Sequence, residues 1–190
     1  NVSIPKYKHP LIVSICRQDP RKGINYIIHA INIVSKKFPD VACLIVGSGS
    51  FLKLNQNLVQ KLQLEKNVSV IGFAPDIKPI LQEADIAVIV ALAQGSSALT
   101  VLEAMSFGKA VIGSNCDGIP EDIIHNKTGL IVEKGNEYEL ANTMIRLIED
   151  ERLRKTLGEN AREASQRKFG FDKMRSDIEK LINKYLPKNN

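Results

Sequence analysis

Glu103 is a lone carboxylate in SSALTVLEAMSFGKAVIGS, residues 96–114, a stretch otherwise dominated by Leu, Val, Ala and Met. An acid among apolar neighbours needs either solvent or a specific hydrogen-bond donor. The vicinal hydroxyls of a sugar are such donors; a backbone amide or a lysine is the structural alternative. Earlier in the chain, CRQDPRKG brings Arg17, Arg21 and Lys22 together just before Gly23. Clustered cations ahead of a helix start suit a phosphate or diphosphate, through charge-assisted hydrogen bonds and the helix dipole. The same cations would also serve a solvated loop with salt-bridge partners. VGSGS supplies Gly47 and Gly49, whose backbone N–H groups can approach a phosphate without a Cβ in the way, although a short glycine turn between strand and helix is commonplace. In GFAPDIKPIL, Pro75 and Pro79 stiffen a loop that presents the backbone of Phe73 and Ala74 to a planar base, or simply turns a strand into a helix.

These segments are separated by short β-branched apolar runs that alternate with longer amphipathic stretches, the pattern of repeated βα units around a parallel sheet. The runs predict strands at 11–15, 42–46, 68–72, 86–91, 110–113 and 129–132. Helices are predicted at 23–37, 51–62, 77–83, 98–107 and 120–125, with Ser96 or Ser97 as the N-cap of the fourth. The fold class is α/β, a Rossmann-like doubly wound parallel sheet of about six strands. In such sheets ligands sit beyond the carboxyl ends of the strands, where all four segments fall. After residue 132 only helices follow, at 137–149, 151–167 and 171–185, to wrap the sheet edge or reach another body. Residues 1–10, with Pro5 and Pro10, read as a linker, 11–168 as the Rossmann-like domain and 169–190 as a closing helix.

Composition narrows the function. With 44% hydrophobic and 25% charged residues the chain is an ordinary globular sequence. Its apolar runs fall short of the roughly 20 residues of a membrane helix, and no basic-then-apolar leader opens it. Cys16, Cys43 and Cys116 are scattered, with no disulfide or zinc pattern, which points to a reducing cytoplasm. The net charge of +5 belongs to the tail: from Arg152 onward 11 Lys or Arg face five Asp or Glu. That surplus suits a solvated helix face, or peripheral contact with an anionic membrane surface. Nucleic acid is disfavoured, because there is no Trp, no interleaved aromatic pattern and no binding motif. The histidines are expected to be non-catalytic: His9 in the linker, His29 on a helix flank, His125 at a helix end.

In this order, R…KG, VGSG, GF…D, LEAMSFGKAVIGS and GIPEDI…KTGLIV resemble the carboxy-terminal domain of retaining GT-B glycosyltransferases of the group 1 family, over about residues 11–150. The resemblance implies a donor-binding domain for a nucleotide-activated sugar, one half of a GT-B architecture. Its partner is a separate amino-terminal acceptor domain, for which 190 residues leave no room. Arg17 and Lys22 match the basic pair that neutralises the donor diphosphate. Glu103 matches the second glutamate of an E-x7-E motif, which holds the ribose. Leu99 and Thr100 match the segment whose amides touch the phosphates, and Phe73 with Ala74 lie near the base. The motif's first glutamate falls on Gly95, with Gln94 beside it: either Gln94 substitutes as a neutral hydrogen-bonding group, or the sugar is held differently. Glu121 reads as structural, at a helix start. The expected reaction is glycosyl transfer with retention, without cofactor or metal. In the family the last helix crosses back onto the amino-terminal domain, so Met174, Ile178, Leu181 and Ile182 would form a contact face.

Three other readings stand beside it. A nucleotide-sugar-binding subunit without catalysis would bind but not turn over. A GT-B sugar-nucleotide epimerase fits the basic loop less well, and a nicotinamide dehydrogenase lacks the glycine fingerprint after the first strand.

Overall fold

The computed structural model describes residues 10–93 and 98–186. Residues 1–9 of the expected linker, His9 among them, and Gln94, Gly95, Ser96 and Ser97 lie outside them. Six strands form one sheet: β1 (Leu11–Ile15), β2 (Ala42–Val46), β3 (Val68–Ile71), β4 (Ile86–Ile89), β5 (Ala110–Ser114) and β6 (Leu130–Val132). Every pairing is parallel and the order is β3-β2-β1-β4-β5-β6, so the sheet is wound both ways from β1.

Strand alternation builds the layers. On β2, Ala42, Leu44 and Val46 face one core while Cys43 and Ile45 face the other. The second face is covered by α1 (Ile24–Lys37), α2 (Leu52–Lys61) and α6 (Glu137–Glu149). The first is covered by α3 (Lys78–Glu83), α4 (Leu99–Ser106) and the single turn α5 (Ile119–Asp122). In α1, Ile24, Ile27, Ile28, Ile31 and Val34 are all buried, the i, i+3, i+4, i+7 stripe of an amphipathic helix. Burying each such side chain contributes about 1.5–3 kcal/mol. The α6 start is capped by Asn136: its Oδ1 accepts from the Glu139 amide at 3.1 Å, while Glu139 Oε2 accepts from the Glu133 amide and from Asn136 Nδ2.

Two local expectations change. The predicted helix at 120–125 stops at Asp122, because Ile123 is extended and the Thr128 hydroxyl accepts from the Ile124 amide. His125 is therefore at no helix end; its Nδ1 accepts from the Ile131 amide at 2.9 Å, pinning the turn before β6. The N-cap of α4 is Ala98, buried and without a side-chain acceptor, rather than Ser96 or Ser97. His29, on α1, is half-buried. The closing helices do wrap the edge: α7 (Glu151–Phe169) buries Leu157 on one face of the sheet and Ala161 on the other. Beyond it, α8 (Phe171–Tyr185) buries nothing among the described residues.

Candidate functional site

β1 and β4 pair only at Ile12↔Ile86 and Val13↔Ala87, while β1 pairs with β2 along five positions. The sheet thus opens at its carboxyl edge at the point where winding reverses. Loops from four strands border the opening and are bonded to one another. The Gln18 amide donates to Ser48 O at 2.9 Å, and the Phe51 amide to Gln18 O at 3.0 Å. The Gly47 amide reaches Ile71 O at 3.2 Å, and the Leu92 amide reaches Arg21 O at 2.7 Å. Gln18 is fully buried and accepts from Asn55 Nδ2 of α2 at 2.6 Å.

Gly47 and Gly49 owe their identity first to this loop packing. They sit at φ of +140° and +156°, and a Cβ would lie 2.0 Å from Cys16 O or 2.2 Å from Gln18 O. No side chain fits either place. From the sequence these glycines could serve a ligand's approach or an ordinary strand-to-helix turn; the structure adds that the β1 loop itself lies against them.

The loop after β1 divides its cations. Arg21 is held by Asp19 through two side-chain hydrogen bonds of 3.0 and 2.9 Å, and Asp19 also accepts from the Arg21 amide at 2.9 Å. The Arg21 hydrogen bonds hold the Asp19 carboxyl below the usual carboxylate range. This corrects the grouping of three: Arg21 is the salt-bridged surface cation, while Arg17 and Lys22 line the opening. A one-turn 3-10 helix, Pro20–Lys22, capped by Asp19, provides the geometry.

Two cavities share the opening. One, of about 330 Å³, is lined by Ser14, Cys16, Arg17 and Lys22, by Ile89 at the end of β4 with Val90 and Ala91 beyond it, and by Ala98, Leu99 and Thr100. The other, of about 400 Å³, is lined by Ile15, Cys16, Arg17, Val46, Gly47, Ser48, Gly49, Phe73, Ala74, Ile77 and Thr100. Cys16, Arg17 and Thr100 belong to both and form the shared wall. Leu99 and Thr100 open α4, so their amides have no acceptor within the helix and point its positive dipole end at the cavities. Phe73 is 73% exposed and Leu99 75%, at the two mouths. Burial pushes the Cys16 thiol up to about 11, keeping it neutral near pH 7.

Of the sequence-derived residues, then, Arg17, Lys22, Gly47, Gly49, Phe73, Ala74, Leu99 and Thr100 come together. Glu103 lines neither cavity. It is half-buried on α4, one helical turn beyond Leu99 and Thr100 and on their face. Sequence reasoning missed Ser14 and Cys16, although a serine inside the apolar run LIVSI was a visible signal, and it missed Asp19 as the residue that claims Arg21. Among the described residues no cluster of three or more His, Cys, Asp or Glu could hold a metal, and no helix is long and apolar enough to cross a membrane.

Comparison with known proteins places this opening in context. The family model for glycosyl transferases group 1 matches residues 2–164. The N-acetyl-alpha-D-glucosaminyl L-malate synthase of Bacillus anthracis is 33% identical over 142 residues, covering 75% of this chain and 37% of that protein. Anabaena HepE, solved in complex with UDP, superposes with a TM-score of 0.86 at 25% identity, over 92% of this chain and 49% of that one. The carboxy-terminal domain of a group 1 family glycosyl transferase, LpcC of Francisella tularensis, superposes with a TM-score of 0.78 at 27% identity and is 89% covered. The chain thus spans less than half of the synthase and of HepE, and nearly all of the isolated LpcC domain.

Proposed function

Because the chain belongs to the glycosyl transferases group 1 family, we propose that its two cavities hold the nucleotide-sugar donor of a retaining GT-B glycosyltransferase. The nucleoside occupies the larger cavity, with the base against Phe73 and Ala74, and the diphosphate and sugar occupy the smaller one. The observation that carries this reading is the shared wall: Arg17 borders both cavities beside the first amides of α4, where a diphosphate joining the two halves of a donor would lie. That Anabaena HepE was solved in complex with UDP supports a nucleotide as the class of ligand.

In the reaction the bond between the anomeric carbon and the diphosphate oxygen breaks, and negative charge grows on the departing nucleoside diphosphate. Arg17, Lys22 and the α4 amides stabilise that charge in place, with no metal and no cofactor needed. The acceptor attacks from a separate amino-terminal domain and the sugar keeps its anomeric configuration. Glu103 accepts hydrogen bonds from the ribose hydroxyls, and Gln94 meets the sugar. The apolar stripe of α8 docks on the acceptor domain. The enzyme works in the cytoplasm, its basic tail turned towards anionic membrane. Gly95, at the place of the motif's first glutamate, favours one second reading, a subunit that binds donor without transferring it.

Calorimetric titration of the chain with UDP, GDP and ADP tests the proposal. One of them should bind saturably, and Arg17→Ala should weaken it about 10- to 100-fold through loss of a charge-assisted contact. Glu103→Ala should cost about tenfold with the ribonucleotide and little with its 2′,3′-dideoxy analogue. Equal affinity of Arg17→Ala and the wild-type chain would sink the assignment.

A further inference from the structure

Ser114 ends β5, is completely buried, and borders neither cavity. β4–β5 pairing ends at Ile89↔Gly113, but the chain continues past it along the opening. There the Ala91 amide donates to Ser114 Oγ at 2.8 Å, and the same hydroxyl donates to Ala91 O at 2.9 Å. One side chain therefore completes both backbone groups of a residue that is only 2% exposed and lies beyond the end of its strand. On the opposite side, Leu92 and Ala93 both donate to Arg21 O, at 2.7 and 3.4 Å. Residues 90–93 are thus suspended between Ser114 and the 3-10 turn that carries Lys22. Val90 and Ala91 form part of the wall of the smaller cavity, facing Arg17 and Leu99.

We propose that Ser114 is a positioning residue for the donor. Through Ala91 its hydroxyl holds the wall of the smaller cavity and so sets affinity for the diphosphate-sugar end, without touching the ligand. This rests on the donor reading of that cavity. Ser114→Ala leaves both backbone groups of Ala91 without this partner, and they regain partners only if the segment shifts or water enters. The larger cavity is lined by the β1, β2 and β3 segments, Ile77 and Thr100 of α4, none of which Ser114 bonds and none of which belongs to residues 90–93, so the nucleoside end should be spared.

The test uses whichever of UDP, GDP or ADP the wild-type chain binds best, and the matching free nucleoside followed by NMR shifts. Ser114→Ala should weaken the diphosphate about tenfold and the nucleoside less than about twofold, while Ser114→Thr, which keeps the hydroxyl, restores binding. Amide exchange at Ala91 and Leu92 should speed up in Ser114→Ala while Val111 and Ile112 stay protected. Should that variant not fold, Ser114→Cys, with a weaker donor and acceptor at the same place, carries the same comparison. Unchanged diphosphate affinity, or an equal loss for nucleoside and diphosphate, overturns the proposal and leaves the donor reading standing. No binding by the wild-type chain overturns both.

Discussion

The crevice and the last helix solve opposite problems. Around the crevice, loops that are distant in sequence satisfy one another's backbone groups: Gln18 with Ser48 and Phe51, Gly47 with Ile71, Leu92 with Arg21. The walls are set before any ligand arrives, which is what a charge-stabilising site requires. In α8 all the local logic is intact, with i,i+4 ion pairs Lys173–Asp177 and Arg175–Glu179, yet no residue is buried. Phe171, Met174, Ile178, Leu181, Ile182 and Tyr185 are each 47% or more exposed. Their spacing of three, four, three, one and three is that of a single helix stripe. One region is over-determined by this chain's own contacts; the other, among the described residues, buries nothing against it.

The largest expected effect comes from breaking the first region at one of its two glycine contacts. Gly49→Ala puts a Cβ against Gln18 O at 2.2 Å with φ at +156°, and should destabilise the fold by roughly 3 kcal/mol or more in urea unfolding. A loss below about 1 kcal/mol would mean that the loops have slack and are not fixed by one another.

The matching change in the second region should do almost nothing to stability. Ile178→Asp combined with Leu181→Asp is expected to leave the unfolding free energy within about 0.5 kcal/mol in urea unfolding, as for surface positions. A clear destabilisation would show that the stripe packs on this chain after all and would erase the contrast.

The smallest effect concerns a crevice contact that is local rather than shared. Asp19 has its pKa lowered by the Arg21 side-chain and backbone hydrogen bonds, so its ionised form favours the folded state. That gain is present above the unfolded carboxylate value of about 4, and is lost as the pH falls through the lower folded value. Asp19→Asn keeps a capping side chain and removes the charge. Near pH 7 its melting temperature should lie about 1–2 °C below wild type, with the gap closing on acidification in a melting series. A gap that widens in acid would contradict the assigned direction.

Much of this was legible in the residues. The strand cores at 11–15 and 42–46 and the helices Glu137–Glu149 and Phe171–Tyr185 coincide with the periodicity, because strand alternation and the helix stripe are properties of neighbouring residues. The short α5 was not legible, since its end is set by the Thr128 hydroxyl and the bridge of His125 to Gly129. Arg21 could not be separated from Arg17 and Lys22 by type or spacing. The separation follows from where the capped 3-10 turn directs each side chain, with Asp19 holding both the Arg21 amide and its guanidinium.

The sequence by itself determined the repeated βα units, the amphipathic faces, the family motifs and the basic tail, because each depends on residue type and short-range period. Only the tertiary structure decided that β1 and β4 part after two register positions, that the wall of the opening is tied to the buried Ser114, and that two cavities meet at Cys16, Arg17 and Thr100. Those features depend on backbone groups 23 or more residues apart finding or losing partners across the sheet, and a backbone amide carries no side-chain signature in the sequence from which its partner could be read.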